Sequence, residues 1–201
     1  MLRHKKGRWV WYASRSERPV WLDAKCYPSI AFDGRELPRP EWTCQSENGG
    51  LHVDARVGRI DVHVATRPVP TMEINWTEPY ALNLVSRSWA DLWRDLVDPD
   101  LVFLGTLLLD GQEIEDWMSV HGIRQPALRS KSMTEQLCNR CGNRSTWTHG
   151  GEFFNEPHVG DQVVLVNGNG VYLREDVVRE RGIRTPAGSF EPSYVDWRVP
   201  A

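Results

Sequence analysis

The chain has 201 residues and a formal net charge of −3, from 24 basic and 27 acidic side chains, with 40% of residues hydrophobic and 25% charged. That balance belongs to folded globular chains and excludes disordered, collagen-like, coiled-coil and low-complexity classes. The longest apolar stretch, Leu101–Leu109, falls far short of the ~20 residues of a membrane-spanning helix. The aromatic run Trp9–Ala13 behind the basic residues Arg3, Lys5, Lys6 and Arg8 is too short for a signal-peptide core. A cytoplasmic protein without a membrane partner is expected.

In chain order, short β-like runs appear at Arg8–Ala13 and Val20–Leu22, and Leu37-Pro38-Arg39-Pro40 and 45–50 read as loops. Leu51, Val53, Ala55 and Val57, then Ile60, Val62 and Val64, alternate with polar residues around Gly58-Arg59, which predicts a two-residue hairpin over 51–64. Further strands are expected at Met72–Trp76, Tyr80–Val85, Leu101–Leu109, Val163–Val166, Val171–Leu173 and Tyr194–Trp197. Trp89, Leu92, Trp93 and Leu96 fall at helical spacing behind Ser86 and Ser88, which predicts a capped helix with its tryptophans inward. Ile114, Trp117, Met118 and His121 repeat the spacing, with Gly122 as a stop. A third helix is expected over Arg174–Arg181, ended by Gly182, after an Asn167-Gly168-Asn169-Gly170 turn. The class predicted is α+β: a mainly antiparallel sheet with about three short helices and a zinc-knuckle-like turn. It forms one domain over 1–201, or two packed halves: a β-rich 1–79 and an α+β 80–201.

Cysteines in a chain without an export signal point to thiols or metal ligands rather than disulfides. The same context removes meaning from the sequons at Asn75 and Asn143. Cys138-Asn139-Arg140-Cys141-Gly142 is half of a tetrahedral zinc site, with the glycine placed for a turn whose backbone amides face the sulfurs. The other two ligands are open between His149 with His158, which follow in sequence, and Cys26 with Cys44, far upstream; a bare metal-free turn is the alternative. No thioredoxin-like pattern surrounds the motif, which disfavours a redox active site.

In the expected hairpin, Asp54 faces His63 and Arg56 faces Asp61, with His52 nearby. A carboxylate orienting an imidazole suits general-base chemistry, and His52, Asp54 and His63 could ligate a metal, although a solvated face of cross-strand charge pairs needs neither. His121 reads as a capping or half-buried histidine. Phosphate-loop, nucleophile-elbow, HExxH and dinucleotide-loop motifs are absent.

Charge is uneven along the chain. Residues 71–120 carry ten acids and two bases, whereas 1–25 and 121–150 are basic, with Trp9, Trp11 and Trp147 among them. An acidic surface steers basic partners and disfavours nucleic acid. Asp95, Asp98, Asp100, Asp110, Glu113 and Asp116 are the candidate partner-binding residues, placed at expected loop positions beside the first two predicted helices.

From Tyr80 onward the layout resembles the double-CxxCG family of bacterial immunity proteins. The resemblance rests on the strand Ala81–Val85 running into Trp89–Leu96, the strand Leu101–Leu109, the Cys138-x-x-Cys141-Gly142 knuckle, and the closing Val163–Val166, Val177–Ile183 and final strand after Pro192. Family members carry a first CxxCG near the N-terminus, where this sequence has only Cys26 in Lys25-Cys26-Tyr27-Pro28 and, later, Cys44. The resemblance implies a non-catalytic antitoxin that binds and neutralises a cognate protein toxin, with one structural zinc as the candidate cofactor. A zinc-ribbon-containing nucleic-acid or protein-interaction module is the second expectation, and an enzyme using Asp54 and His63 the third.

Overall fold

The computed structural model describes residues 5–46, 51–123, 128–129, 133–148, 153–154, 159, 161–167 and 170–199. β1 (Lys5–Tyr12) and β2 (Val20–Trp21) are followed by a 3-10 turn at Ala24–Cys26. β3 (Ser29–Phe32) and β4 (Arg35–Pro38) form one hairpin, and β5 (Thr43–Gln45) and β6 (Leu51–Val53) another. Next come β7 (Val62–Val64), β8 (Ile74–Glu78), β9 (Asn83–Ser86), the single-turn helix α1 (Arg87–Ala90), β10 (Val102–Leu109) and β11 (Gln112–Gly122). The chain continues with β12 (Leu128–Arg129), β13 (Met133–Leu137), β14 (Arg144–Thr148), β15 (Phe153–Phe154), β16 (Val164–Asn167), β17 (Gly170–Arg174), α2 (Glu175–Arg181) and β18 (Ser193–Val199). Sheet predominates, in line with the α+β expectation at its coarse level. No helix among the described residues is long and apolar enough to cross a membrane.

Six strands in the order β2-β8-β9-β11-β10-β7 form one sheet. Its two edges meet: Leu22, directly after β2, bridges Val64 of β7, and the Asp23 and Ala65 N–H groups donate to the His63 and Trp21 carbonyls at 3.0 and 2.7 Å. The sheet therefore closes into a small barrel. Val62, Leu84, Leu107, Ile114 and Trp117 are among its interior side chains. The second sheet runs β12-β15-β18-β1-β17-β16, so the first and last strands lie side by side. Both sheets take strands from either side of residue 79.

The main core lies between the second sheet and the outer face of the barrel. Val10, Tyr12, Val171 and Leu173 meet Ile74, Val85, Val102 and Val120 there. Trp89 and Trp93 fill its centre, both fully buried, with Tyr12 edge-on to Trp89 at 5.4 Å. The tryptophans thus point inward as their spacing predicts, but the helix is shorter: α1 ends at Ala90 and a 3-10 turn covers Arg94–Leu96. Ser86 caps it, accepting from the Trp89 N–H. α2 matches its expected span, with Gly182 left-handed behind it at φ 62°.

Two expectations are overturned. Ile114–His121 is not a helix but most of β11, paired with β10 and β9. Asp110 and Gly111, both at positive φ, make the two-residue turn that folds β11 back on β10. A bulge shifts the pairing from Thr106↔Met118 to Leu108↔Glu113, so the inward-facing Ile114 and Trp117 sit three residues apart and imitate a helical stripe. α-helices among the described residues accordingly number two rather than three.

The 51–64 hairpin does not form either. β6 pairs with β5, and β7 runs parallel to β10. Asp54 breaks the strand by accepting the Arg56 N–H at 2.9 Å and the Arg56 guanidinium at 2.7 Å, an Asx-type turn where the alternation predicted extended chain.

Glu73 joins the two layers. Its carboxylate accepts from the Arg184 guanidinium, the Ala187 N–H at 3.0 Å and the Ser88 hydroxyl at 3.2 Å. The Arg184 hydrogen bonds outweigh burial and hold its pKa at about 2, against an ordinary 4.5. A carboxyl depressed in the folded state contributes stability above its unfolded pKa and loses it as pH falls toward the folded one. Acid titration of the wild type, followed by urea unfolding, should therefore lose stability between pH 4.5 and about 2. Glu73→Gln should be less stable at pH 7 by about 1–3 kcal/mol and should lack that part of the acid loss. Trp93→Ala, which empties a fully buried site, should cost about 3–5 kcal/mol in the same assay; unchanged stability would contradict the packing described.

Candidate metal centre

Cys44 and His52 occupy the centres of β5 and β6 and pair directly across the ribbon. Residues opposite one another in an antiparallel pair project from the same face, so the ribbon presents a thiol beside an imidazole. Cys138 and Cys141 come from the turn between β13 and β14. That turn is held by the Gly142 N–H donating to the Cys138 carbonyl at 2.8 Å and the Cys138 N–H to the Asn143 carbonyl at 2.9 Å. Gly142 takes φ 76°, a left-handed conformation costly for a residue with a Cβ, and the Asn143 N–H then points at Cys141 Sγ from 3.4 Å. Asn143 also donates its side-chain amide to the Val53 carbonyl at 2.9 Å, which locks the knuckle onto the ribbon.

The four donor atoms lie within 4.8 Å of one another, with Cys44 Sγ 3.9 Å from Cys138 Sγ and His52 Nε2 3.2 Å from Cys141 Sγ. All three cysteines are buried and His52 is half-buried. This group could hold a metal ion. Burial and the facing Cys141 and Cys138 thiols push Cys44 up to about 12, whereas Cys138 is drawn down despite its burial because the Cys141 and Arg140 amides hydrogen-bond its sulfur. Arg56, held first by Asp54, also lies in the field of Cys141 and Cys44 and offsets their charge.

Of the residues singled out from sequence, Cys138, Cys141 and Cys44 meet here, and His52 joins them rather than Asp54 and His63. Cys26 stands apart and exposed, its Sγ 3.4 Å from Asp23 Oδ2. His149 and His158 lie outside the described residues. Asp54 is engaged by Arg56, while the His63 ring receives Tyr27 edge-on at 6.0 Å and the His63 backbone N–H donates to the Tyr27 hydroxyl, so the expected Asp54–His63 pair is not assembled. His121 is buried on β11, and burial pushes its pKa down to about 4 against the Asp54 and Val57 backbone. The sequence signal for His52 was its place beyond the Gly49-Gly50 loop, opposite Cys44 if that loop is a hairpin turn.

The six candidate acids are all exposed but do not form one patch. Asp95, Asp98 and Asp100 precede β10, whereas Asp110 and Glu113 lie at its far end and Asp116 stands part-way back along β11. Asp95 is taken up by Arg181 at 2.7 Å and Glu113 by Arg87 at 3.3 Å. The remaining four have no ion-pair partner among the described residues.

No family model matches the chain, and no curated protein matches it.

If the four donors share one ion, elemental analysis of the purified protein should return one metal per chain. Chelation and Cys138→Ser should each destabilise it by at least roughly 2 kcal/mol, because ligation energy is folding energy. Cys26→Ser should leave metal content and stability within about 0.5 kcal/mol of wild type. A metal-free chain insensitive to chelation would leave the knuckle a bare turn.

Proposed function

We propose that the protein is a non-catalytic binding protein, stabilised by one structural zinc, that acts as an immunity protein against a cognate bacterial toxin. The observation that carries this reading is the complete donor set of Cys44, His52, Cys138 and Cys141. Three sulfurs and one imidazole suit zinc, and Zn–S bonds of ~2.3 Å place tetrahedral sulfurs ~3.8 Å apart, against 3.9 Å for Cys44 and Cys138. A site with four protein ligands leaves no open position for substrate, so the ion serves the fold. The knuckle's likeness to the double-CxxCG immunity proteins then supplies the role, and exposed carboxylates supply steering toward a basic partner.

The acids fall into two groups, and each group can be tested separately. Pull-down from the native host should yield a stoichiometric partner that is toxic when expressed without this chain. Reversing Asp98 and Asp100, or Asp110 and Asp116, to Lys should slow association with that partner by about tenfold at low salt for the group at the interface. The deficit should shrink as ionic strength rises, with stability unchanged. A partner that is not toxic overturns the immunity role. Equal association by both variants removes the acids from the interface. The delivery of ligand pairs by two β-hairpins also favours a zinc-ribbon interaction module; salt-sensitive retention on heparin without a toxin partner would support that alternative.

A further inference from the structure

We infer that the metal centre is also an oxidant-sensitive switch, in which Cys44 and Cys138 form a disulfide between the ribbon and the knuckle and the zinc leaves; this rests on the structural-zinc reading above. Thiolates bound to zinc stay deprotonated at neutral pH and remain nucleophilic, so burial in the cluster does not silence them. The centre lies close to the surface, since Asn139, Arg140 and Gly142 around the knuckle are exposed. A small uncharged oxidant such as hydrogen peroxide can therefore approach.

Geometry places the pair within reach. Cys44 and Cys138 sulfurs stand 3.9 Å apart on separate hairpins, and closing by about 2 Å brings them to bonding distance. Cys141 is engaged by His52 Nε2 and by the Asn143 N–H. In the first step the Cys138 thiolate attacks one peroxide oxygen; an S–O bond forms, the O–O bond breaks and hydroxide leaves, giving the sulfenic acid. Cys44 then attacks that sulfur, forming the S–S bond and releasing the second hydroxide. The two sulfurs lose two electrons, peroxide gains them, and two solvent protons convert the hydroxides to water. Zinc keeps its charge. His52 and Cys141 alone cannot retain it, while the new bond keeps the two hairpins together.

The test uses the full-length zinc-loaded protein with Cys26→Ser, which removes the exposed thiol. Peroxide should release one zinc per chain, read with a chromogenic chelator, and consume two of three thiols. Peptide mapping without reductant should show Cys44 joined to Cys138, and dithiothreitol with zinc should restore the starting state. Cys44→His keeps a Cys2His2 donor set; it should still bind zinc and should release it at least about tenfold more slowly under the same oxidant. Zinc retained under peroxide, a disulfide from Cys141 to either Cys138 or Cys44, or release from Cys44→His at the wild-type rate would each overturn the switch while leaving structural zinc in place. A chain that takes up no zinc before oxidation overturns both.

Discussion

The closure of the barrel at Leu22 and Val64 is the constraint on which the other parts depend. Closure fixes β7 against β10 and so fixes the path of residues 54–61, which lead into β7 from the ribbon that carries Cys44 and His52. That path is pinned repeatedly from the barrel wall. Ser119 donates its hydroxyl to the Ile60 carbonyl, Thr106 donates backbone and side-chain groups to Asp61, and the Asp54 N–H reaches the Trp42 carbonyl at 2.9 Å. There is no slack where Ile60 passes Gly105: a Cβ on that glycine would lie 1.9 Å from the Ile60 carbonyl oxygen. The ribbon carrying Cys44 and His52 is therefore presented by the barrel at a set position, not suspended on a free loop.

Against that fixed side, the knuckle is added from a segment some ninety residues further on in the chain. Asn143 contributes a direct hydrogen bond between the two, to Val53, and Ala55 packs with Cys44, Cys138 and Cys141 beside it. A cluster of unligated thiols would be a weak fastener, because thiols are weak hydrogen-bond donors and acceptors. A cation converts the same crowding into attraction. The candidate metal site is thus the point where the Cys138–Gly142 turn meets the ribbon.

The layers are joined by a different device. Glu73, at the start of β8, and Arg184, beyond α2, form an ion pair in which the carboxylate is mostly buried and the guanidinium half exposed, reinforced by the Ala187 N–H. Trp89 adds its indole N–H to the Arg184 carbonyl at 3.0 Å, so the same short segment receives a charge clamp and the edge of the main core. Apolar packing between the sheet and the barrel supplies the bulk of the stabilisation, and these polar contacts set its orientation.

The sequence by itself determined what is local. The Asn167–Gly170 hairpin, α2 with its Gly182 stop, the strand at Leu101–Leu109, the inward tryptophans and the Cys138–Gly142 turn were all legible, because each depends on spacing or on a residue whose backbone preference is intrinsic. What only the tertiary structure decided is pairing. The bulge in β11 put Ile114 and Trp117 three apart on one face and so counterfeited a helix, although Asp110-Gly111 held the contrary signal. The alternation over 51–64 identified the buried residues Val53, Ile60, Val62 and Val64 correctly but assigned them the wrong neighbours, since periodicity fixes a face and not a partner. The candidate metal site fell between the two levels: its knuckle is local, but His52 and Cys44 reach it only because barrel closure and a ribbon register bring distant segments within 4.8 Å, a proximity that no spacing along the chain encodes.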